Sequence, residues 1–358
     1  MQGRKLKIFF SGIAGSGISA IAGFMAEKGH IIVGSDRRFD LDSGHPLKKI
    51  FQSGGITIVP QNGSGIDSTF DLAVFSTAVE PECPDALKAG TLGTPIKTRP
   101  GYLAEIAETF KTIAVSGTSG KSTSSGMLAF IMNRLGLSPN LIGGGRVKQF
   151  KSSSNSGNFL TGDSDYLIIE ACESDGSIVK YKAQHSIILN LSLDHHPVDK
   201  TAMMFKTLME NTVEKVITNA DDKNLIEIMP ENIITFSIHN PSKYRASEII
   251  YKPFSTDFSL NGTNFSLALP GKYNIYNTLS CIALLSEIGI SLEAIADVLP
   301  EFHGIDRRFD IHLNDGNILV IDDYAHNPHK IASLMQTVKP LREHIVTYSS
   351  LMDSALPD

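Results

Sequence analysis

The segment of this chain best equipped for chemistry is Gly117-Thr118-Ser119-Gly120-Lys121-Ser122-Thr123. Its glycines let backbone amides turn inward around phosphate oxygens, Lys121 reaches terminal phosphates, and the Ser122 hydroxyl can ligate Mg²⁺. The long form of such a loop has glycine at position 115, where this chain has valine, so the loop is a shortened variant. Read as a glycine-rich surface turn, the segment leaves Lys121 unexplained.

A metal-bound triphosphate also needs carboxylates at the end of a neighbouring strand. Glu170-Ala171-Cys172-Glu173-Ser174-Asp175 supplies three, and spacing does not separate Glu170 from Glu173 as the metal ligand. Asp194-His195-His196-Pro197 places an acid beside an imidazole, and either Asp194 or His195 is a candidate site residue. A second glycine turn lies near the N-terminus, Gly12-Ile13-Ala14-Gly15-Ser16-Gly17, followed later by Ser35-Asp36. The dinucleotide fingerprint wants glycine at its first, third and sixth places, whereas the third place here is Ala14 and the extra glycine is Gly15. That turn therefore supports an NAD or FAD site, a different phosphate ligand, or a purely structural bend.

Strands and helices must present these groups. Residues 6–11 read as a buried strand, a helical pattern runs through Lys28 to Gly29, and residues 31–33 read as a second strand. Further strands fall at 70–76, ending in Ser76-Thr77-Ala78-Val79, and at 94–97. Residues 111–116 form an apolar strand running straight into the phosphate loop, and 124–135 continue as a helix that Gly136 ends. Strands at 166–169 and 186–191 carry the acids and the Asp-His pair at their carboxyl ends. The polar stretch 147–162 reads as an exposed loop without chemistry.

At 358 residues the chain exceeds one ordinary core, and its 42% apolar and 20% charged residues are those of a folding α/β protein. A net charge of -6 offers no footprint for wrapping nucleic acid. Cys83, Cys172 and Cys281 are scattered, which argues against a disulfide framework or zinc cage and for a reducing, cytoplasmic setting. The basic start and apolar run at 8–26 imitate a signal peptide, but four glycines and three serines make the run too polar for insertion in a membrane.

In their order along the chain these motifs resemble the Mur ligases of peptidoglycan synthesis, and the likeness covers nearly the whole sequence. It is carried by Gly12 to Gly17 with Gly34-Ser35-Asp36, by the Ser76 to Val79 turn, by Gly117 to Thr123, by Glu170 to Ser177, and by Asn190 with Asp194-His195. Farther on it includes Pro270-Gly271-Lys272-Tyr273-Asn274 with Asn277, then Phe302-His303-Gly304 with Arg307-Arg308-Phe309. Asp322-Asp323-Tyr324-Ala325-His326-Asn327-Pro328 completes it.

The resemblance implies a three-domain α/β architecture. Residues 1–108 would be a Rossmann-like domain holding a UDP-sugar through Gly12, Ala14, Gly15, Ser16, Gly17, Ser35, Asp36, Ser76, Thr77 and Ala78. Residues 109–300 would be a P-loop ATPase domain, binding ATP through Gly117 to Thr123 with Asn274 and Asn277 near the adenine. Residues 301–358 would begin a C-terminal α/β domain adding Arg308, Asp323 and His326. The likeness assigns Mg²⁺ to Ser122, Glu173 and His195, and catalysis to Lys121, Glu173 and His195.

The implied activity is an ATP-dependent ligase that activates the carboxylate of UDP-N-acetylmuramate as an acyl phosphate and joins it to L-alanine. The alternatives are the recycling type, which adds a murein tripeptide to the same UDP-sugar, and a non-catalytic nucleotide-binding relative. An NAD dehydrogenase would rest on the first glycine turn alone. The sequence departs from the family at Ser119, commonly His, at Ser122-Thr123-Ser124, commonly threonines, and after His195, where His196-Pro197 intervene before Asp199. Only about 56 residues follow Phe302, so the C-terminal domain is expected to be incomplete and to lean on the central one or to be loosely ordered.

Overall fold

Short apolar runs separated by helical stretches dictate two parallel sheets, and the computed structural model, which describes residues 4–231 and 233–348, contains both. The first unit runs β1 (Lys7–Ser11), α1 (Ser16–Glu27), β2 (Ile31–Ser35), α2 (Arg37–Leu41), α3 (Pro46–Ser53), β3 (Thr57–Val59) and β4 (Leu72–Phe75). It continues through α4 (Pro84–Leu92), β5 (Ile96–Thr98) and α5 (Arg99–Ala107). The strand order is β3-β2-β1-β4-β5, all parallel, so the chain reverses direction across the sheet between β1 and β4. Ligands of open α/β sheets bind beyond the strand ends at such a point, and the glycine turn after β1 lies there.

The second unit runs β6 (Lys111–Ser116), α6 (Lys121–Arg134), β7 (Asn140–Ile142), β8 (Phe159–Leu160), β9 (Tyr166–Glu170), β10 (His185–Ile188) and α7 (Val198–Asn211). It adds β11 (Lys215–Asn219), α8 (Lys223–Ile226), β12 (Ile234–Ser237) and β13 (Tyr244–Arg245). The order β13-β12-β11-β10-β6-β9-β7-β8 puts β6 between β10 and β9, and only the β7–β8 pairing among these strands is antiparallel. Alternate residues of β6 face opposite cores. Ala114 packs with Leu167, Ile169 and Ile188 toward α1, α5 and α7, whereas Ile113 and Val115 pack with Ile168, Ile187 and Ile217 toward α6 and the following helices.

An antiparallel sheet of β14 (Ser247–Tyr251), β15 (Thr256–Leu260) and β16 (Thr263–Leu267) then leads into α9 (Lys272–Glu287) and α10 (Leu292–Val298). Its inward Phe258, Leu260, Phe265 and Leu267 join the second core. The described chain ends with a hairpin, β17 (Asp310–Asn314) and β18 (Leu319–Asp322), and helix α11 (Pro328–Val338), which Asn327 caps by accepting the Lys330 N–H at 3.0 Å. Leu319, Ile321 and Leu334 are half-buried and Ile331 is exposed, so this segment contributes no core of its own.

The stretch 147–162 corrects the expectation of an exposed loop. Val147, Asn155, Ser156, Gly157, Asn158 and Phe159 are buried, because the segment is wedged between the two units. Phe159 lies where a side chain at Gly23 of α1 would collide with its ring. The Asn158 amide donates to Ser16 O at 2.8 Å and Ser19 Oγ at 2.9 Å.

Candidate active site

Because β9, β6 and β10 are parallel neighbours, the loops that leave them open on one edge of the sheet and converge. The loop after β6 is the phosphate loop. Gly117 adopts φ 138° against the backbone of Leu189 and Asn190, and Gly120 adopts φ 91° where any side chain would collide with the Asn277 amide oxygen. Neither position tolerates a Cβ. Asn190 braces the turn from β10, accepting the Ser119 N–H at 2.8 Å and donating to Ser119 O at 3.0 Å. Thr118 is tied to the same strand, its hydroxyl accepting the Ser192 N–H at 2.9 Å.

Lys121, the first residue of α6, donates to Gly117 O at 2.6 Å and to both oxygens of Glu173, at 2.8 and 3.1 Å. Burial alone would lower the lysine pKa, but the Glu173 and Glu170 carboxylates hold it above the ordinary value. Glu170 is differently engaged. One oxygen accepts the Gly144 N–H at 2.6 Å and the Gly145 N–H at 3.2 Å, and the other accepts the Ser122 hydroxyl at 3.0 Å. Glu170 therefore locks the loop after β7 to the phosphate loop, whereas the single cation on Glu173 can be exchanged for another.

His195 is exposed at the mouth of the site, and Asp194 is turned toward the C-terminal segment. Asp194 accepts the Lys330 ammonium at 2.9 Å and the Asn327 amide at 3.2 Å. Burial would raise its carboxyl, but these two donors outweigh it and hold the pKa below the usual aspartate value.

The remaining wall comes from α9 and from the chain after α10. Asn274 and Asn277 are buried one turn apart, with the Asn277 amide donating to Asn274 Oδ1 at 3.3 Å. Tyr276 donates its hydroxyl to Asp221 at 2.9 Å. Arg308 is presented between two left-handed residues, Arg307 at φ 58° and Phe309 at φ 47°, each costing about 1–3 kcal/mol for a residue with a side chain. The bend is held by the Phe309 N–H on Asp323 at 2.8 Å and the Tyr324 N–H on Arg307 O at 2.8 Å. Burial pushes the Asp323 carboxyl up. His326 bonds Tyr324 O at 2.9 Å through Nδ1 and lies 3.2 Å from the Lys330 ammonium through Nε2.

Together these groups enclose a cavity of ≈ 490 Å³ that reaches from Thr118–Thr123 past Asp194 and His195 to Asn274, Asn277, Arg308, Asp323 and His326. All the expected nucleotide residues except Gly117 and Glu173 line it; Gly117 lies under the turn and Glu173 is buried behind Lys121. Among the described residues no three of His, Cys, Asp and Glu form a preformed metal cage. A hydroxyl, one exchangeable carboxylate and an imidazole beside a phosphate loop nevertheless suit Mg²⁺, which keeps several waters and takes phosphate oxygens as ligands.

The first glycine turn forms a separate cluster. Gly12 has φ 78° and its Cα faces Ser76 and Val79, so the turn after β1 and the residues after β4 touch. Ser35 O accepts the N–H groups of Gly12 and Ile13 at 2.9 and 3.1 Å. Asp36 accepts the Ala14 N–H at 2.8 Å and the Arg38 N–H at 2.9 Å, so Asp36 and Ala14 shape the turn with their polar groups already engaged. Ser76 bonds the Ala78 N–H at 3.3 Å. The N-terminus of α1, with Gly15, Ser16 and Gly17, has no side-chain cap. Arg99 lies over Gly17 and pairs with Asp175 of the second unit.

Comparison with known proteins fits this arrangement. The Mur ligase family catalytic-domain model matches residues 7–111, and the Mur ligase middle-domain model matches residues 115–285. The UDP-N-acetylmuramate–L-alanine ligase of Persephonella marina is 31% identical over 350 residues, covering 95% of this chain and 74% of that protein. The chain belongs to the Mur ligase family. The enzyme of the same name from Clostridium novyi is also 31% identical to this Mur ligase, over 93% of the chain and 74% of the relative. Among solved structures, UDP-N-acetylmuramate–alanine ligase from Thermotoga maritima superposes with a TM-score of 0.81 at 28% identity, covering 95% of this chain and 79% of that one. A murein peptide ligase from Psychrobacter arcticus gives 0.77 at 25% identity, over 94% and 76%. This Mur ligase has the mixed α/β, multidomain fold of those enzymes.

Four contributors escaped the sequence reading of this Mur ligase. The bracing role of Asn190, the Gly144-Gly145 amides on Glu170, the Arg99–Asp175 pair and Lys330 depend on contacts across 25 to 136 residues of sequence. Of these residues Asn190, Glu170 and Asp175 carried a signal, each lying inside a motif, but their partners did not.

Proposed function

We propose that this Mur ligase joins L-alanine to the carboxylate of UDP-N-acetylmuramate at the expense of ATP, in the cytoplasm and in the synthesis of peptidoglycan precursor. The observation that carries the reading is the convergence of a braced phosphate loop, a lysine paired with an exchangeable acid, and Arg308 around one cavity. The names of the relatives supply the substrates. We place the sugar nucleotide on residues 1–108, ATP on 109–300, and the groups that complete the site on 301–358.

A carboxylate is a poor acylating agent until one of its oxygens belongs to a leaving group. Attack of that oxygen on the γ-phosphorus releases ADP and gives an acyl phosphate. Attack of the alanine amine on the acyl carbon then releases phosphate and a proton. The residues serve these steps by holding two anions together. Entry of the triphosphate draws Lys121 from Glu173 onto the β and γ phosphates, where it offsets the charge that develops. The amides of 117–121 cradle the phosphates, Asn274 and Asn277 face the base, and Arg308 approaches from the C-terminal side.

Mg²⁺ bound by Ser122, Glu173 and His195 would supply charge neutralisation across the phosphates. Glu173 rather than Glu170 is the acid we assign, because Glu170 is already engaged by the Gly144 and Gly145 amides that it holds to the phosphate loop. Phosphate release with ATP and UDP-N-acetylmuramate tests the reading in three arms: L-alanine, murein tripeptide and no amine. Release with alanine supports it, release with tripeptide alone reassigns the amine, and no release in any arm overturns it.

A further inference from the structure

The mechanism above leaves Lys330 without a task, although its side chain is only 14% exposed and lines the nucleotide cavity. Three observations converge on it. Its ammonium lies 2.9 Å from Asp194 and 3.2 Å from His326, so it joins the loop after β10 to the C-terminal segment. Its backbone N–H is the one that Asn327 caps, and the same Asn327 amide donates to the other Asp194 oxygen. Among the described residues of the helix that begins there none is fully buried to fasten it by packing, yet Ser333 and Leu334 on it form part of the cavity wall.

We infer that Lys330 is a positioning residue: its ion pair with Asp194 clamps α11 across the nucleotide cavity and thereby sets that wall. A helix docked by hydrophobic burial would hold itself in place, whereas the described apolar residues of α11 are at best half-buried and the helix depends on polar tethers. Asp194 is well placed for the other half of the clamp. Its loop is anchored to the phosphate loop through Thr118 and Ser192, so the position of α11 is referred directly to the phosphates' cradle. The strap before α11 is fixed independently by Lys148–Asp310 at 2.7 Å and Lys151–Asp306 at 2.7 Å. Loss of Lys330 should therefore free the helix and leave the hairpin docked.

The inference rests on the ATP reading for its kinetic consequence alone, so two measurements separate them. In the ligand-free chain, Lys330→Gln should accelerate amide exchange of residues 331–338 by about tenfold, the effect of losing one charge-assisted hydrogen bond, while residues 310–314 keep their protection. In steady state the same variant should raise the KM for ATP by about tenfold with a smaller fall in kcat, and Lys330→Arg should restore both readouts to within about threefold. Unchanged exchange in Lys330→Gln overturns the clamp whatever the enzyme does with ATP. A loss of kcat with exchange and KM intact overturns it too, by showing that the lysine acts on the reacting groups themselves. Absence of turnover in the unaltered chain condemns the functional reading and leaves the exchange result to decide the clamp.

Discussion

Lys121 Nζ lies 2.8 Å from one oxygen of Glu173 and 3.1 Å from the other, so the phosphate-loop cation and the acid assigned to the metal neutralise each other before substrate arrives. Lys121 therefore has a structural duty that its motif does not reveal. Lys121→Ala should reduce phosphate release by at least about a hundredfold. It should also destabilise the fold by on the order of 3 kcal/mol, since it strands a carboxylate that is 2% exposed. Adding Glu173→Gln should return most of the stability and none of the turnover. Thermal unfolding of the single and double variants checks the first effect, and a phosphate assay the second; near-normal release in Lys121→Ala would dismiss the phosphate-loop assignment.

Separate partners give Glu173 and Glu170 separate signatures. Glu173→Gln and His195→Ala should each raise the Mg²⁺ concentration needed for half-maximal activity, because each removes a proposed ligand. Glu170→Gln should leave that requirement nearly unchanged, while the loss of the carboxylate loosens the Gly144-Gly145 amides and speeds their exchange. A magnesium titration of the three variants decides between the acids. If the shift appears only in Glu170→Gln, the ligand is Glu170.

What the sequence revealed was local and what it hid was long-range. Residues 111–116 were legible as a strand because Ile113, Ala114 and Val115 form an unbroken apolar run, and the glycines and lysine that follow have one common use. The start of helix α11 carries its own local signal, since Asn327 can cap it and Pro328 suits its first turn. The antiparallel sheet at 247–267 was passed over although β15 and β16 alternate polar and apolar residues as half-buried strands do, because it carries no chemical motif to draw attention to it. Burial of 155–159 was equally hidden. Serine and asparagine there look solvated until Asn158 meets Ser16 and Phe159 meets Gly23 in another unit. Likewise Glu170 and Glu173 are three residues apart, and only the donors around each distinguish them.

The sugar-nucleotide assignment predicts protection without ATP. UDP-N-acetylmuramate at a hundredfold excess over its dissociation constant should stabilise the chain by about 2.7 kcal/mol. Gly12→Ala should abolish that protection, since a Cβ there lies 2.8 Å from Val79 and 2.9 Å from Ser76 and the residue must keep φ 78°. Thermal shift with and without the ligand is the measurement. Protection by NAD in place of the UDP-sugar contradicts the assignment.

Docking of the C-terminal hairpin should be acid-labile. Burial alone would raise the Asp310 carboxyl, but Lys148 and the Arg307 N–H hold its pKa below the ordinary value of 3.8. A group depressed on folding stabilises fully above its unfolded pKa and loses that contribution as pH falls through the folded one. The hairpin contact should therefore be intact from about pH 5 upward and weaken below about pH 4. Amide exchange of 310–314 across an acid titration follows it, and Asp310→Asn should abolish the pH dependence in that window.

The wedge at 158–159 predicts a variant whose defect is confined to one substrate. Phe159→Ala removes a ring that is 4% exposed and packed on α1, so it should destabilise the chain by about 3–5 kcal/mol through the cavity it leaves. Asn158→Asp is the finer probe. Its amide donates to Ser16 O and Ser19 Oγ, and a carboxylate oxygen in that place would face the Ser16 carbonyl with no proton between them. That repulsion acts on the first turn of α1, where the sugar nucleotide is proposed to rest, whereas Ser16, Ser19 and Asn158 line no part of the nucleotide cavity. Asn158→Asp should thus raise the KM for UDP-N-acetylmuramate severalfold and leave the KM for ATP within about twofold. An equal rise in both constants would mean that the wedge supports the second unit as a whole, and that α1 is not where the sugar nucleotide is held.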